Sequence, residues 1–223
     1  MRASFDQQLR DLTSRLRGLA ELAAKALELA TRALLDGDVA AAEEALDLSE
    51  DIDTLHTECS ERAVAILALQ HPVAGDLRFV FSAVRMSSDL ARMGQLALHI
   101  ARAARRRTPG ELAPDEVRDD IARMGELTAG MARGLCDVFA EPNLELVSRV
   151  RTTDAELDAV HARLLETLRD PAWTHGVTPA VDLALVARFY ERFGDQAVDV
   201  AERVIFLITG RRPDDDPAPP ERP

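Results

Sequence analysis

Apolar residues recur at intervals of three and four along nearly the whole chain, as in "LRGLAELAAKALELATRALL" (16–35). Strand-like alternation is absent, so the periodicity predicts α-helix almost throughout. The pattern is interrupted at "DGD" (36–38), "QHPVAGD" (70–76), "RTPGELAPD" (107–115), "AEPN" (140–143) and "PAWTHGVTP" (171–179). These breaks carry the glycines, prolines and Asp/Asn that end or start helices. They predict an all-α fold of six helices, at 3–35, 38–69, 75–106, 115–139, 143–169 and 179–209. The remaining tail, "RRPDDDPAPPERP" (211–223), is proline-rich and charged with nothing to bury, and is expected to be disordered.

The six helices are three helices used twice. "DIDTLHTECSE" (51–61) and "ELDAVHARLLE" (156–166) share an acid, an aliphatic, Asp, an aliphatic, His and a final Glu at an offset of 105 residues. The same offset pairs "AELAA" (20–24) with "GELTA" (125–129). Further on, "ARMGQLALHIA" (91–101) pairs with "ERFGDQAVDVA" (191–201) at an offset of 100, the difference being absorbed in the loop between the second and third helix. This reads as a duplicated unit forming two tandem three-helix bundles, 1–108 and 109–210, with antiparallel neighbours across short loops.

Composition sharpens this picture. The chain has 223 residues, 47% hydrophobic, 30% charged and only 4% aromatic, which suits a helical globular protein. The formal net charge of -12 argues against nucleic acid or an anionic membrane as the main partner and permits cations and basic protein surfaces. Cys59 and Cys136 fall inside helical patterns without a CxxC and are expected to be buried free thiols. The N-terminus has no apolar run and no segment reaches the length of a bilayer span. A cytoplasmic protein without membrane insertion is expected.

Chemistry must be sought in the acids. There is no phosphate-cradling glycine loop, dinucleotide fingerprint or nucleophile elbow, and no Ser, His and Asp spacing that suggests a triad. The sixth helix places Glu191, Asp195, Asp199 and Glu202 within an arc of about 80°, roughly opposite Val186, Phe189, Tyr190, Phe193, Val200 and Val204. Either water solvates this stripe as an ordinary outer face, or a cation sits on it. The fifth helix offers Asp154, Asp158 and His161 at the same spacing. Acid-xxx-acid on two neighbouring helices can converge on a divalent or trivalent cation through oxygen ligands, with histidine nearby. His56 and His161 each follow an Asp by three, a spacing related to that of di-iron bundles. The basic run "ARAARRRT" (101–108) is read as a C-terminal complement to the helix dipole rather than a phosphate patch.

Two segments then carry a resemblance. "HPVAGDLRFVFSAVRMSSDLARMGQLALHIA" and "LALVARFYERFGDQAVDVAERVIFLITG" resemble the two signature helices of the PhoU family, regulatory accessory proteins of bacterial phosphate import, over roughly residues 5–210. The hallmarks are a proline followed after three residues by Asp-Leu-Arg (Pro72 to Arg78) and a Glu-Arg-aliphatic-Gly-Asp motif. The resemblance implies a cytoplasmic, commonly dimeric protein of two three-helix bundles. It implies negative regulation of phosphate uptake and of the starvation response, through the importer's ATPase subunit and a phosphate-sensing histidine kinase. It also implies multinuclear metal clusters on the acid-xxx-acid motifs, with iron, zinc, manganese and magnesium as candidate ions. The second unit keeps the motif as Glu191, Arg192, Phe193, Gly194 and Asp195, with Asp154 and Asp158 as its partners. The first unit has Ala91 and Gln95 where the acids should be, His99 in place of Asp199 and Ser49 in place of Asp154. Asp53 and His56 remain, and Asp47 with Asp51 offers a shifted substitute, so one competent metal site is expected. Asp76 and Arg78 are candidates for contact with partners. The alternative to an adaptor is a carboxylate-bound metal protein with redox or storage chemistry. A metal-free helical scaffold is the third reading.

Overall fold

A computed structural model describes residues 2–107 and 113–210. Both the division between the two units and the tail 211–223 lie outside these residues. The described chain is six α-helices with no strand: α1 (Arg2–Asp36), α2 (Val39–Gln70), α3 (Ala74–Arg107), α4 (Asp115–Ala140), α5 (Leu144–Arg169) and α6 (Val177–Thr209). Helix ends fall where the local chemistry directs them. Asp38 caps α2 by accepting from the Ala41 N–H at 3.0 Å, and Asn143 caps α5 by accepting from the Glu145 N–H at 2.7 Å. Gly210 closes α6 in the left-handed region at φ 74°, its N–H bonded to the Phe206 carbonyl. The last helix starts two residues earlier than the sequence pattern predicts, because Pro179 is tolerated in a first turn whose N–H groups need no intrahelical partner.

Each unit is a three-helix bundle, with α2 packed on α1 and α3, and α5 packed on α4 and α6. The units meet through α1 against α4 and α3 against α6. Both cross-unit pairs run antiparallel. Glu28 pairs with Arg133 and Asp36 with Arg118 along one seam. Asp89 pairs with Arg203, and the His99 ring stacks on Phe189 at 5.1 Å, along the other. The four inner helices form a continuous core, with α2 and α5 as flanking layers. The core is built from leucine and alanine, including Leu12, Leu16, Leu19, Ala20, Ala23 and Leu27 of α1, with Tyr190 and Phe193 fully buried from α6. The small alanine side chain lets backbones approach, so few aromatics are needed to fill the space. Tyr190 finds a partner for its hydroxyl in Thr31, 2.8 Å away across the seam.

Two glycines set the distance between outer and inner helices. A Cβ on Gly94 would lie 2.7 Å from Ile52 Cδ1, and one on Gly194 would lie 2.5 Å from Leu157 Cδ2. Ile52 and Leu157 are themselves equivalent in the duplication, as are the two glycines. The glycine of the repeated motif is therefore a packing requirement: it seats the aliphatic knob of the second helix of each unit. Gly194 also has Asp154 Oδ1 2.8 Å from the position of its missing Cβ. This brings a carboxylate of α5 directly over α6.

Candidate metal centre

Five acidic or imidazole side chains gather where α5 crosses α6. Asp154, Asp158 and His161 come from α5, and Glu191 and Asp195 from α6. Burial, then the negative charges of Asp158, Asp195 and Glu191, push the Asp154 carboxyl up to about 6. Burial also raises Glu191, with Asp195 adding to it. Asp195, though exposed, is raised by partial desolvation of its carboxyl and further by Asp158 and Asp199, against the lowering effect of Arg188. His161 is lowered, first by burial and then by Arg188, which favours the neutral imidazole that can act as a ligand. Mutual repulsion of this kind is what a bound cation would relieve.

The stripe on α6 does not behave as one solvated outer face. Glu191 has a side chain only 14% exposed, its Oε1 is held by Arg188 one turn earlier, and its Oε2 is buried without a hydrogen-bond partner. The wheel misplaces Glu191 because α5 covers that edge of α6, and a wheel knows nothing of neighbours. Asp195 and Asp199 are exposed. Asp199 stands at the far end of the group, where its charge acts on both Asp195 and Asp89. Glu202 lies about 10 Å further along the axis than Asp195, out of reach of a shared ion. Among the described residues no three His, Cys, Asp or Glu side chains stand close enough to hold an ion as placed. The donor set still fits a hard or borderline cation in kind, with carboxylate oxygens from two helices, a neutral imidazole beside them and one orphaned oxygen, Glu191 Oε2.

The first unit is different. Gln95 donates from Nε2 to Asp53 Oδ1 at 3.2 Å, so an amide hydrogen bond takes the place of two facing carboxylates. Ala91 is buried and offers no ligand. His99 is turned into the seam against Phe189, its proton affinity lowered by burial and by Arg102 and Arg92. His56 keeps a buried Nδ1 without a partner, and Asp47, Asp51 and Asp53 are exposed along α2. A single carboxylate bonded to an amide has replaced the acid-acid confrontation of the second unit.

The PhoU domain model matches residues 16–104 and again residues 121–204, covering both units. The chain belongs to the PhoU family. Its relatives include "Phosphate-specific transport system accessory protein PhoU homolog 1" of Mycobacterium leprae, 43% identical over 100% of both chains. Homolog 2 of Mycobacterium tuberculosis is 44% identical over 96% of this chain and 100% of the relative. The solved PhoU structure from Pseudomonas aeruginosa superposes with a TM-score of 0.85 at 28% identity, covering 93% of this chain and 100% of that one. PhoU from Streptococcus pneumoniae, titled a phosphate transport system regulatory protein, gives 0.83 at 26% identity, covering 93% and 98%.

The PhoU hallmark that opens α3 resolves into two environments. Asp76 is exposed in the first turn of α3, where its charge suits the helix dipole. Arg78 is half-buried, its guanidinium 5.2 Å from the centre of the Phe206 ring and beside Gly210 at the end of α6. It therefore ties the start of α3 to the C-terminus of α6, rather than to α2 of its own unit, and complements the negative end of that dipole. The basic run at the end of α3 is used in part for a different purpose, since Arg105 bonds Glu43 of α2. The half-buried pair of Asp89 and Arg203 has no signature in the sequence: its members lie 114 residues apart and each looks like ordinary surface charge. Cys59 and Cys136 are free and buried, and burial pushes both thiols up to about 11, leaving them unreactive.

Proposed function

We propose that this protein is a cytoplasmic regulator of phosphate homeostasis, restraining phosphate uptake and the phosphate-starvation response by contact rather than by catalysis. The observation that carries this reading is similarity over the whole chain to relatives named as phosphate-specific transport accessory proteins. The partners proposed are the ATPase subunit of the phosphate importer and a phosphate-sensing histidine kinase, with a homodimer as the assembly the family implies. Among the described residues no helix is long and apolar enough to cross a membrane.

In this reading Asp154, Asp158, Glu191 and Asp195 hold a divalent or trivalent metal ion, with His161 and Asp199 at its margin and iron, zinc, manganese and magnesium as candidates. The ion would supply positive charge that relieves the repulsion among the carboxylates, so its role is structural or regulatory. The second unit holds it and the first does not, because Gln95 and Ala91 stand where the second unit has Asp195 and Glu191, and Gln95 occupies Asp53 with an amide hydrogen bond. Deleting the gene and following a starvation-induced promoter tests the regulatory claim. The promoter should become active in phosphate-rich medium, and unchanged expression in both rich and poor medium would overturn the claim. Co-purification of the tagged protein with the importer ATPase and the kinase tests the partners.

A further inference from the structure

Exposed large apolar side chains gather at two ends of this molecule, Val39, Leu144 and Ile208 apart. At the start of α3 they form a stripe, Val73, Leu77 and Phe81, spaced by four so that all three fall on one side of the helix. Phe81 is 61% exposed, and Val64 and Leu69 stand exposed on the adjoining end of α2. At the start of α6 the exposed residues are Val177, Val181 and Leu185. Here an open groove of about 510 Å³ is lined by Leu165 and Leu168 of α5, by Trp173 of the connecting loop, and by Ala180, Val181 and Ala184 of α6. Contiguous exposed apolar surface of this kind marks an interaction site.

The duplication explains why only one of these ends is a groove. The offset of 105 residues carries Val64 onto Arg169, the last residue of α5, yet α2 continues past Val64 to Gln70. That further stretch of α2 runs beside the start of α3 with Ile66 buried in the core. In the second unit the helix stops at Arg169 and the loop 170–176 takes its place. The groove is the space left where α5 ends early. Because α3 and α6 run antiparallel, stripe and groove lie at opposite ends of the molecule, about 50 Å apart along the helix axes.

Stripe and groove match in shape and in charge. Val73, Leu77 and Phe81 span about 12 Å, two turns of helix, and a helix face with apolar anchors at this spacing is what a groove between helices receives. Arg169 is the charged residue lining the groove; its Nε donates to the Leu165 carbonyl at 2.9 Å, and it enters no ion pair among the described residues. Beside the stripe stands Asp76, exposed in the first turn of α3 and likewise without an ion pair among the described residues. The stripe of a second copy therefore brings an acid to the cation of the groove. The equivalent stripe of α6 does not, since Gly176 stands where Asp76 does and Val181 is already part of the groove's own lining. Two copies laid antiparallel exchange stripes and make the contact twice, which closes a dimer. Each contact removes on the order of 1,000 Å² from water, the lower bound for a specific interface. The net charge of -12 makes two copies repel, but physiological salt confines that repulsion to about 8 Å, and apolar burial outweighs it at contact.

We infer that the apolar start of α3 in one copy docks in the α5–α6 groove of a second copy. This names the surfaces of the homodimer in the reading above and rests on that reading for its purpose. The test is sedimentation velocity on the full chain at about 0.15 M salt. Wild type should associate, its mass rising with concentration from the 24.4 kDa of one chain to that of two. Phe81→Asp removes the stripe and Val181→Asp spoils the groove, so each variant alone should be monomeric with helical circular dichroism unchanged. An equal mixture of the two should regain a dimer, because the intact groove of one variant receives the intact stripe of the other. Phe81→Ser and Val181→Ser serve if either aspartate variant misfolds. Arg169→Asp should weaken the dimer several-fold, and Asp76→Arg in the same chain should restore it. The inference is overturned if wild type stays monomeric from micromolar to millimolar concentration, if either single variant still associates, or if the mixture stays monomeric. A monomer whose gene deletion still derepresses the promoter sinks the docking and leaves the regulatory reading standing; a dimer whose deletion changes nothing does the reverse.

Discussion

Replacing Asp154 with asparagine should make the metal-stripped protein more stable at neutral pH. The native carboxyl titrates at about 6 against a usual value of 3.8, so folding raises its pKa. Between those values the native state binds more protons than the unfolded state, and stability therefore falls as pH rises through the window. Above pH 6 the wild type carries the whole penalty; below pH 4 it carries none. A difference of about two units corresponds to about 3 kcal/mol at most, and the half-exposed position reduces this to about 1–2 kcal/mol through solvent screening. Asparagine keeps the shape and removes the charge. Urea denaturation of metal-free wild type and Asp154→Asn at pH 4.5 and 7.5 measures the effect. The variant should gain about 1–2 kcal/mol at pH 7.5, with a rise in Tm of about 2–8 °C for a chain of this size, and much less at pH 4.5. A variant less stable than wild type at pH 7.5, or an equal gain at both pH values, would refute the idea that Asp154 sits among uncompensated like charges.

Further expectations concern the same crossing and the seam. Glu191→Ala with Asp195→Ala should remove bound metal, measured by elemental analysis after dialysis, while helical circular dichroism stays largely intact. Gly194→Ala places a methyl 2.5 Å from Leu157 Cδ2 and 2.8 Å from Asp154 Oδ1, so both side chains must give way; a loss of about 1–3 kcal/mol in unfolding free energy by urea and a lower metal content are expected together. Ala91→Glu with Gln95→Asp should raise the metal-to-protein ratio by rebuilding the acids opposite Asp53; an unchanged ratio would mean that more than two ligands are missing there. Asp89→Asn leaves Arg203 half-buried without its carboxylate and should cost about 2 kcal/mol, with Arg203→Met in the same background recovering part of it.

The helices were legible because periodicity, caps and breaks all pointed one way: Asp38, Asn143 and Gly210 are local signals and the structure uses each of them. The duplication was legible too, since its pattern lies along the chain. What could not be read was how one unit lies on the other. The antiparallel seam depends on Asp89 meeting Arg203 and Thr31 meeting Tyr190, pairs whose members carry no local mark of each other. Spacing marks the acids of α6 but not the burial of Glu191, which is decided by α5. Exposed apolar residues near the helix starts are hidden in the sequence for a related reason. Leu77 and Val177 extend the same three-four pattern as core residues, and only the packed structure reveals that nothing covers them.

The seam also bears on how the two halves came to share one chain. In a symmetric pairing of two identical units, the partners of α3 and α6 would be interchangeable, yet here they are not. Asp89 and Arg203 correspond under the offset to Phe189 and Ala103, and His99 corresponds to Asp199. Two copies of the second half would set Arg203 against Phe189, and two copies of the first would set Asp89 against Ala103. Each half has become the complement of the other rather than of itself. Neither half could therefore be exchanged for a copy of the other without losing the Asp89–Arg203 pair and the stacking of His99 on Phe189, so a substitution on one side of the seam is felt on the other.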